Sequence, residues 1–499
     1  MVDQIAVVTF TTPASGDPAL FDVTSPLITE TFNCAILIYS ASTTDDSNTA
    51  GGCMGMGFVS TEAGDASDFD ASSTVSLQDN SINVTQAFQD ESGGAVAECI
   101  RAANPGVATT VIAEFSAAIS GGVTLNFTTR TVQAKCTAIL FAGLSRSAIG
   151  NCTFTDAGIT HEDVGNAGTG SFQPDCLVFL SSDTSIDAGG VNNGQPKIGF
   201  AINPTSGIQQ VAAYTNIDQG TDPTAADGYY RTDCATAGFI GAVRTSMDRI
   251  QVTSFDSTGF NATAIDTGGA NSPQAVYLAI KWNNASLVRM ACSNLPVAAS
   301  TGNQTYNTFG FTPDLLFGLS HLITVADTLD GTEANTCSAG YFVTGRFGSR
   351  AISVHHDHGH TIDGTTPSDA NTRQGDHPAL TPTGLGAVAH QASWVGGSSS
   401  GGFILNFSTA DQAGTLTALG IQIIPSPPLP IRRLKVPRRA RLSRTRYRSV
   451  GGILGVQAAQ AGNFVLRAIQ RARRQMLERL RFRRAFPTIT LNTTPSATP

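Results

Sequence analysis

The feature that most constrains this chain is an internal repeat of about 140 residues. The segment Gly121-Gly-Val-Thr-Leu-Asn-Phe-Thr-Thr recurs 280 positions later as Gly401-Gly-Phe-Ile-Leu-Asn-Phe-Ser-Thr. A looser copy, Thr258-Gly-Phe-Asn-Ala-Thr, lies near the midpoint, and each copy precedes an apolar stretch that begins at Thr137, Val276 or Thr417. Self-similarity at a fixed period indicates repeated folding units. A period this long lets each unit form its own core.

Earlier landmarks follow nearly the same period. A phenylalanine precedes an apolar run in each copy, at Phe32, Phe172 and Phe311. A glycine followed by an aromatic residue opens a later strand in each copy, at Gly57-Phe58, Gly199-Phe200 and Gly340-Tyr341. The spacings place three modules at 1–147, 148–284 and 285–426, and a separate C-terminal segment at 427–499.

Each module has the alternation of short apolar runs and turn-forming residues that is typical of an all-β fold. Runs of five to seven β-branched and aromatic residues alternate with clusters of Gly, Asn, Asp, Ser and Thr, as in Ile250-Gln-Val-Thr-Ser-Phe followed by Asp256-Ser-Thr-Gly. Helical periodicity is scarce before residue 425. The sequence therefore predicts three tandem β-sandwich modules, jelly-roll-like, followed by a basic and partly helical arm.

Charge is distributed very unequally along the chain. Residues 425–499 hold 17 basic residues and one acid, Glu478, a net charge of +16, whereas residues 1–424 hold 13 basic and 37 acidic residues, a net charge of -24. An acidic surface repels nucleic acid and other acidic surfaces, while an Arg-rich arm attracts them. The two ends of the chain should therefore have different partners.

The arm begins at a proline-rich hinge, with Pro425, Pro427, Pro428 and Pro430, and cannot bury enough apolar surface to fold alone. An amphipathic helix is predicted at about 463–486, with Asn463 as its N-cap. The residues expected to anchor the arm are Arg432, Arg433, Arg438, Arg439, Arg441, Arg444, Arg446 and Arg448, together with the apolar stripe Val465, Ile469, Met476 and Leu480.

Nine cysteines are scattered through the modules without a C-x-x-C pair, so neither a zinc site nor a full disulfide framework is indicated. Several lie in apolar strand-like runs, where a cysteine packs as a small hydrophobe. The first thirty residues lack the pattern of an export signal, and no stretch is long and apolar enough to span a membrane. These features favour a protein whose cysteines stay reduced and which is not secreted.

The sharpest polar cluster is His355-His-Asp-His-Gly-His360 in the third module. On a strand, His356, His358 and His360 would share one face. Two interpretations stay open: a bound transition metal, assisted by Asp376 and His377 or by symmetry-related chains, and a solvated face that responds weakly to pH. The absence of a matching cluster in the second module favours the solvated face.

Other chemistry has weaker signals. The acidic loops Asp327–Glu333 and Asp218–Asp222 offer oxygen ligands for calcium but lack EF-hand spacing. No phosphate-binding loop, H-E-x-x-H or G-x-S-x-G motif is present, and a pair of carboxylates for glycoside hydrolysis cannot be singled out among 37 acids. We therefore expect no enzymatic activity and no required cofactor.

Two segments, Gly170-Ser-Phe-Gln-Pro-Asp-Cys-Leu-Val-Phe and Gly310-Phe-Thr-Pro-Asp-Leu-Leu-Phe, carry a resemblance to a known group. With Ser254-Phe-Asp-Ser-Thr-Gly-Phe and Val276-Tyr-Leu-Ala-Ile, they resemble β-sandwich modules in virion structural proteins of tailed bacteriophages, over about residues 148–426. The resemblance implies a tail, fibre or capsid-surface component and supplies no catalytic residues. Phage fibres usually attach through their N-terminus, whereas the basic arm here is C-terminal.

The resulting hypothesis is a non-enzymatic virion protein whose acidic body faces outward and whose arm docks on the particle. Its expected partners are other virion proteins, further copies of the chain and a host surface glycan. One alternative is a coat or internal protein whose arm binds packaged nucleic acid through its basic side chains. The other is a glycan-degrading spike, which has no support beyond abundant carboxylates.

Overall fold

The computed structural model describes residues 3–40, 42–47, 49–50, 53–62, 72–79, 85–91, 98–103, 109–153, 159–165, 169–181, 188–192, 197–204, 207–217, 226–239, 247–265, 274–326, 336–358, 368–382 and 388–424. These residues form 32 β-strands and one short 3-10 turn, Ala285–Leu287. The predicted all-β class is confirmed for this part of the chain.

The strands fall into three consecutive groups. The first group is β1 (Gln4–Thr11), β2 (Leu20–Thr24), β3 (Phe32–Ser40), β4 (Thr49–Ala50), β5 (Cys53–Ser60), β6 (Ser72–Asp79), β7 (Thr85–Glu91), β8 (Glu98–Ala103), β9 (Thr109–Ile119), β10 (Gly122–Arg130) and β11 (Lys135–Ala142). The second is β12 (Arg146–Thr153), β13 (Ile159–Asp163), β14 (Cys176–Ser181), β15 (Ala188–Asn192), β16 (Lys197–Ile202), β17 (Gln209–Ile217), β18 (Ala226–Arg231), β19 (Thr236–Phe239), β20 (Met247–Phe255), β21 (Gly259–Ile265) and β22 (Gln274–Lys281). The third is β23 (Val288–Val297), β24 (Gly302–Tyr306), β25 (Leu315–His321), β26 (Thr336–Gly345), β27 (Arg350–His358), β28 (Ser368–Gly375), β29 (Leu380–Pro382), β30 (Val388–Gly397), β31 (Phe403–Ala410) and β32 (Gly414–Ile423).

Each group contributes one large and one small antiparallel sheet. Large sheets 1, 2 and 3 have the orders β1-β11-β3-β5-β6-β7, β12-β22-β14-β16-β17-β18 and β23-β32-β25-β26-β27-β28. Small sheets 1, 2 and 3 have the orders β2-β10-β9-β8, β13-β21-β20-β19 and β24-β31-β30-β29. Apart from the short strands β4 and β15, the chain follows the same path through all three pairs of sheets.

Burial patterns explain why the sequence separates into two kinds of strand. Every residue of β14 and of β25 is buried, whereas β21 and β31 alternate between buried and partly exposed positions. A strand covered on both faces requires a continuous apolar run, and a strand with one solvated face requires alternation. The large sheets are therefore the inner layers and the small sheets the outer ones.

Apolar side chains fill two kinds of space. One face of each large sheet packs on its own small sheet, as Leu177 and Phe179 do with Phe260 in the second pair. The opposite faces of all three large sheets meet in one shared core that includes Ile36, Val178 and Phe317. Burial of each such large side chain is worth about 1.5–3 kcal/mol, so this shared core ties the three pairs together.

Short strands interlock neighbouring groups. Strand β15 of the second group pairs with β7 at the edge of large sheet 1, and β4 of the first group pairs with β28 at the edge of large sheet 3. Tyr230, on the edge strand β18 of large sheet 2, donates a hydrogen bond from its hydroxyl to the carbonyl of Thr324 in the third group, at 3.1 Å. The two added strands cover parts of strand edges that would otherwise invite association with other chains.

Glycine opens all three copies of the repeated segment because no side chain fits there. A Cβ on Gly122, Gly259 or Gly402 would lie about 2 Å from the carbonyl oxygen of Val23, Glu162 or Tyr306 on the neighbouring strand. Asn126 and Asn406 each lie four residues after this glycine, on β10 and β31. The glycine shared by all three copies thus marks a close approach between strands.

A second repeated feature is an aspartate just before β14 and just before β25. The carboxylate of Asp175 accepts a hydrogen bond from the backbone N–H of Trp282 at 2.9 Å, and Asp314 accepts one from that of Ile423 at 2.8 Å. In the first group Asn33 takes this place and accepts from the N–H of Leu144 at 3.0 Å. These side chains fix the ends of β22, β32 and β11.

Two predicted landmarks are displaced in the structure. Phe172 and Phe311 precede their strands by four residues, whereas Phe32 lies within β3, opposite Ala142. A bulge between Phe141 and Ala142 lies beside Phe32 and changes the register there by one residue. Likewise Val343, rather than Tyr341, is the counterpart of Phe58 and Phe200 in the strand pairing.

Candidate functional site

A cleft of about 430 Å³ opens between large sheets 1 and 3. Its walls come from the edge strand β1, the start of β11, the turn between β26 and β27 and the residue that follows β28. The lining residues are Val7, Thr9, Lys135, Phe347, Gly348, Ser349 and Asp376. We refer to this cavity as the 1–3 cleft.

A buried arginine lies next to two of the residues that border the cleft. Arg350, the first residue of β27, is 1% exposed, and its Nη1 lies 2.8 Å from Oδ1 of Asp45 and 3.5 Å from Oδ1 of Asp376. Its Nε and Nη2 have no hydrogen-bond partner among the described residues. A buried guanidinium is stable only beside carboxylates, so Arg350 holds the loop containing Asp45 against β27.

Lys135, at the start of β11, pairs with the same carboxylate. Burial acts to raise the pKa of Asp45, but hydrogen bonds and charges from Lys135 and Arg350 outweigh it and lower this pKa below its usual value. Asp45 therefore stays ionised at neutral pH and bridges two cations. The bridge connects residues from the first and third groups of strands.

Asp46 is the only described residue other than glycine with a positive φ, at 57°. Its carboxylate Oδ1 lies 2.7 Å from Nε2 of His377, and its backbone N–H donates to the carbonyl of Gln374 at 2.8 Å. A Cβ at Gly375 would lie 2.6 Å from Oδ1 of Asp46. The left-handed conformation is therefore held by its contacts with the end of β28.

Gln374 anchors the rest of this loop. Its side-chain amide donates to the carbonyls of Ser42 at 2.8 Å and Thr44 at 3.2 Å, and its carbonyl oxygen accepts from the hydroxyl of Ser40 at 2.8 Å. Gln374 is fully buried, so these bonds are shielded from water. We call the contacts of Asp45, Asp46, Lys135, Arg350 and His377 the 1–3 seam.

The junction between large sheets 2 and 3 has different chemistry. His321 donates from Nε2 to the hydroxyl of Thr417 at 3.1 Å, Thr417 donates to Oδ1 of Asn294 at 2.5 Å, and Asn294 donates from Nδ2 to the carbonyl of Arg231 at 2.9 Å. Because the last acceptor is a carbonyl, the chain of donors runs in one direction and places the proton of His321 on Nε2. We call this relay the 2–3 seam.

A second buried histidine accompanies the relay. His390 donates from Nε2 to the carbonyl of Gln412 at 2.7 Å, and Nδ1 of both His321 and His390 has no partner among the described residues. Burial lowers the pKa of His321 to about 3, with a smaller contribution from His390, and burial also lowers the pKa of His390. Both rings are therefore neutral at pH 7.

His161, the one histidine that precedes the third module, lies in a more exposed cluster on small sheet 2. Its Nε2 is 3.1 Å from Oδ1 of Asp163 and its Nδ1 is 3.2 Å from Oδ2 of Asp256. The small burial of the ring lowers its pKa, but the two carboxylates and Asn261 outweigh this and raise it. Asp256 also accepts hydrogen bonds from the N–H groups of Thr258 and Gly259, so the cluster fixes the β20–β21 turn.

Only some of the site residues predicted from the sequence lie among the described residues. His356 lies on β27 opposite Cys337 on β26 and Ala370 on β28, and His358 lies on β27 opposite Ser368 on β28. His360, all the arm residues, the predicted helix at 463–486 and both acidic loops lie outside the described residues. No group of three or more metal-ligating side chains occurs among the described residues. The seven cysteines described with their surroundings are buried and free of disulfides.

Sequence reasoning missed the 1–3 and 2–3 seams. The body contains only three lysines, Lys135, Lys197 and Lys281, in a region with 37 acids, and this scarcity was a usable signal for Lys135. No comparable signal joins Asp45 to Arg350, which are 305 positions apart. Their meeting depends on how the three large sheets close around the shared core.

No family model matches the chain, and comparison with curated proteins and with solved structures found no similar protein. In the part of the chain that the structure describes, no helix is long and apolar enough to cross a membrane. The fold and the cleft define the class: an all-β protein built from paired antiparallel sheets, with a cleft of mixed polar and apolar lining where the first and third groups of strands meet.

Proposed function

We propose that this chain is a non-enzymatic structural protein of a virion, with an acidic body exposed on the particle and a basic C-terminal arm that anchors it. In this proposal the body consists of three tandem β-sandwich modules at 1–147, 148–284 and 285–426. The arm, 427–499, docks on another virion protein.

The observation that carries the proposal is the interlocked body. Three pairs of sheets with one strand order share a core, and strands β4 and β15 cover the edges of neighbouring large sheets. The edges formed by β7 and β28 are covered, and a net charge of -24 over residues 1–424 disfavours direct association of bodies with one another. Such a body suits a component that is attached to the particle by a separate element.

In this proposal the C-terminal arm, 427–499, is the separate element that attaches the body, and its sequence suits that role. It carries a net charge of +16 and an apolar stripe, Val465, Ile469, Met476 and Leu480, which suits an acidic partner surface with an apolar groove. Exposed ion pairs add only about 0–1 kcal/mol each, whereas each large apolar side chain adds roughly 1.5–3 kcal/mol when buried. The stripe should therefore determine attachment more than any single arginine.

The test is incorporation into particles. Virions produced with the full-length chain should contain it after nuclease treatment and should be labelled by antibodies to the body. Deleting residues 427–499 should abolish incorporation, and Ile469→Asp with Leu480→Asp should weaken it. The matched control, Gln470→Asp with Gln475→Asp, adds the same charge off the stripe and should incorporate normally.

Three results would decide against the proposal. The chain could be absent from purified particles, the truncated chain could incorporate as well as the full chain, or nuclease could release the chain from opened particles. The last result would favour the second candidate, an internal protein whose arm binds the genome, because its 17 basic residues would then contact phosphate.

A further inference from the structure

The 1–3 cleft has the size of a small-molecule site. Its volume of about 430 Å³ lies within the range of about 300–1,000 Å³ that is usual for ligand pockets. It opens at the outer edge of large sheet 1, where β1 has no further strand beyond it in the described sheet. A ligand attached to a larger molecule can therefore enter.

The lining combines three kinds of group. Thr9 and Ser349 contribute hydroxyls, Lys135 contributes a cation and Asp376 a carboxylate, while Val7 and Phe347 contribute apolar surface. Asp376 is 79% exposed and touches Arg350 only through Oδ1 at 3.5 Å, so its other oxygen can accept a hydrogen bond from a ligand. Hydroxyls both donate and accept.

The charges of the cleft are largely compensated. Lys135 is paired with Asp45, and Arg350 contacts both Asp45 and Asp376. An ionic ligand would have to compete with these pairs, so neither a strong anion nor a cation gains much. A neutral polyol fits better, because its hydroxyls need both donors and acceptors and its C–H faces need an apolar surface.

The site is also held in place before any ligand arrives. Phe347 packs against the shared core, and the guanidinium of Arg346 lies 4.7 Å from the centre of its ring. The Asp45–Arg350 pair and the left-handed Asp46 fix the opposite wall. Preorganisation of this kind reduces the entropy lost on binding.

We propose that the 1–3 cleft binds a neutral hexose unit of a surface glycan. This inference rests on the proposed function, in which the body faces outward on the particle, and it names the ligand class of that face. Binding here is recognition without turnover: Asp376 accepts from sugar hydroxyls, Lys135 donates to them, and Phe347 contacts the apolar face of the sugar ring.

The experiment uses the purified full-length chain in solution. Glucose, galactose, mannose, N-acetylglucosamine and oligosaccharides containing them are tested by saturation-transfer NMR and calorimetry, with acetate and inorganic phosphate as anionic probes. At least one saccharide should bind and both anions should not. Asp376→Asn should weaken binding about tenfold or more, because it removes one charge-assisted hydrogen bond.

Two further variants keep the result interpretable. Thr9→Trp fills the cleft from an exposed position on an edge strand and should abolish binding, whereas Asp411→Asn changes an exposed aspartate outside the cleft and should bind as the wild type does. Native folding is checked by circular dichroism. Failure of every saccharide, equal binding by Thr9→Trp, or binding of an anion alone overturns the inference.

Because this assay contains no particles, its failure is separate from failure of the proposed function. A chain that enters virions but binds no saccharide retains the structural role and loses the glycan site. A chain that binds a saccharide but is absent from virions retains the site and loses the structural role.

Discussion

The 1–3 and 2–3 seams join the same large sheet to its two neighbours by different chemistry. At the 1–3 seam, Asp45 bridges Lys135 and Arg350, and the contacts are ionic. At the 2–3 seam a neutral relay runs from His321 through Thr417 and Asn294 to the carbonyl of Arg231. The difference teaches that equivalent sheets need no equivalent contacts once a shared apolar core supplies most of the stability.

The comparison also separates what each seam can do. The ion pairs of the 1–3 seam border a cleft lined by donors and acceptors, which suits binding. The neutral hydrogen bonds of the 2–3 seam depend on two buried histidines that stay uncharged. The first seam should respond to salt and the second to acid.

The largest effect should come from Arg350→Met. Removing the buried guanidinium leaves Asp45 and Asp376 without their shared cation, and breaking a buried ion pair costs about 3–5 kcal/mol. Urea unfolding of the full chain should show this loss. Arg346→Met, at a cation that is 54% exposed and pairs with Asp314, should cost less than about 1 kcal/mol, and equal costs would contradict a structural role for the 1–3 seam.

The next effect concerns acid. The folded-state pKa of His321 is about 3, below its unfolded value of about 6.5, so its contribution to stability is complete above pH 6.5 and is lost as the pH falls toward 3. The slope is about 1.4 kcal/mol per pH unit, or about 2 kcal/mol between pH 6.5 and pH 5. The ionisable groups around the ring are Tyr230, His390 and, through His390, Asp411.

His321→Gln should flatten this pH dependence while keeping a donor for Thr417. His161→Gln is the control with the opposite sign, because the raised pKa of His161 stabilises the fold at low pH and this contribution is lost as the pH rises through that pKa. Urea midpoints measured from pH 7.5 to pH 5 distinguish them. An unchanged slope in His321→Gln would show that the 2–3 seam is not the acid-sensitive one.

A smaller loss is expected from Asn294→Ala. This change leaves the hydroxyl of Thr417 and the carbonyl of Arg231 without their partner, and an unsatisfied buried group costs about 1–3 kcal/mol. Asn303→Ala removes an exposed hydrogen bond with Asn406 and should cost less than about 0.5 kcal/mol. Thermal unfolding midpoints would compare the two; a smaller shift in Asn294→Ala would argue against the relay.

The repeat made a good part of the fold predictable. Thr137, Val276 and Thr417, identified as starts of matching apolar stretches, lie opposite Ile38, Leu180 and Leu319 in the three large sheets. Continuous apolar runs such as Cys176-Leu-Val-Phe-Leu correctly indicated buried strands. Phe32 lies two positions away from the counterpart of Phe172, beside a bulge at Ala142, because the apolar pattern alone does not fix strand register.

The candidate site was less predictable. Asp45 and Arg350 meet only after three groups of strands have closed around one core, and alternation of apolar residues carries no information on which loops then face each other. The histidines that drew attention in the sequence, His356 and His358, lie on β27. The histidines with the most perturbed environment, His321 and His390, are isolated in sequence and buried.

Hydrogen–deuterium exchange of the full-length chain tests most directly whether the two seams are held by different chemistry. After correction for intrinsic exchange rates, 1 M salt at pH 7 should increase exchange in residues 42–46 and 374–377, because salt weakens partly exposed ion pairs. Lowering the pH to 5 at low salt should instead increase exchange in residues 321–324 and 415–417, because the histidines take up a proton when this seam opens and acid therefore favours the opened state. If salt and acid each opened both seams together, the distinction between an ionic and a neutral seam would be contradicted.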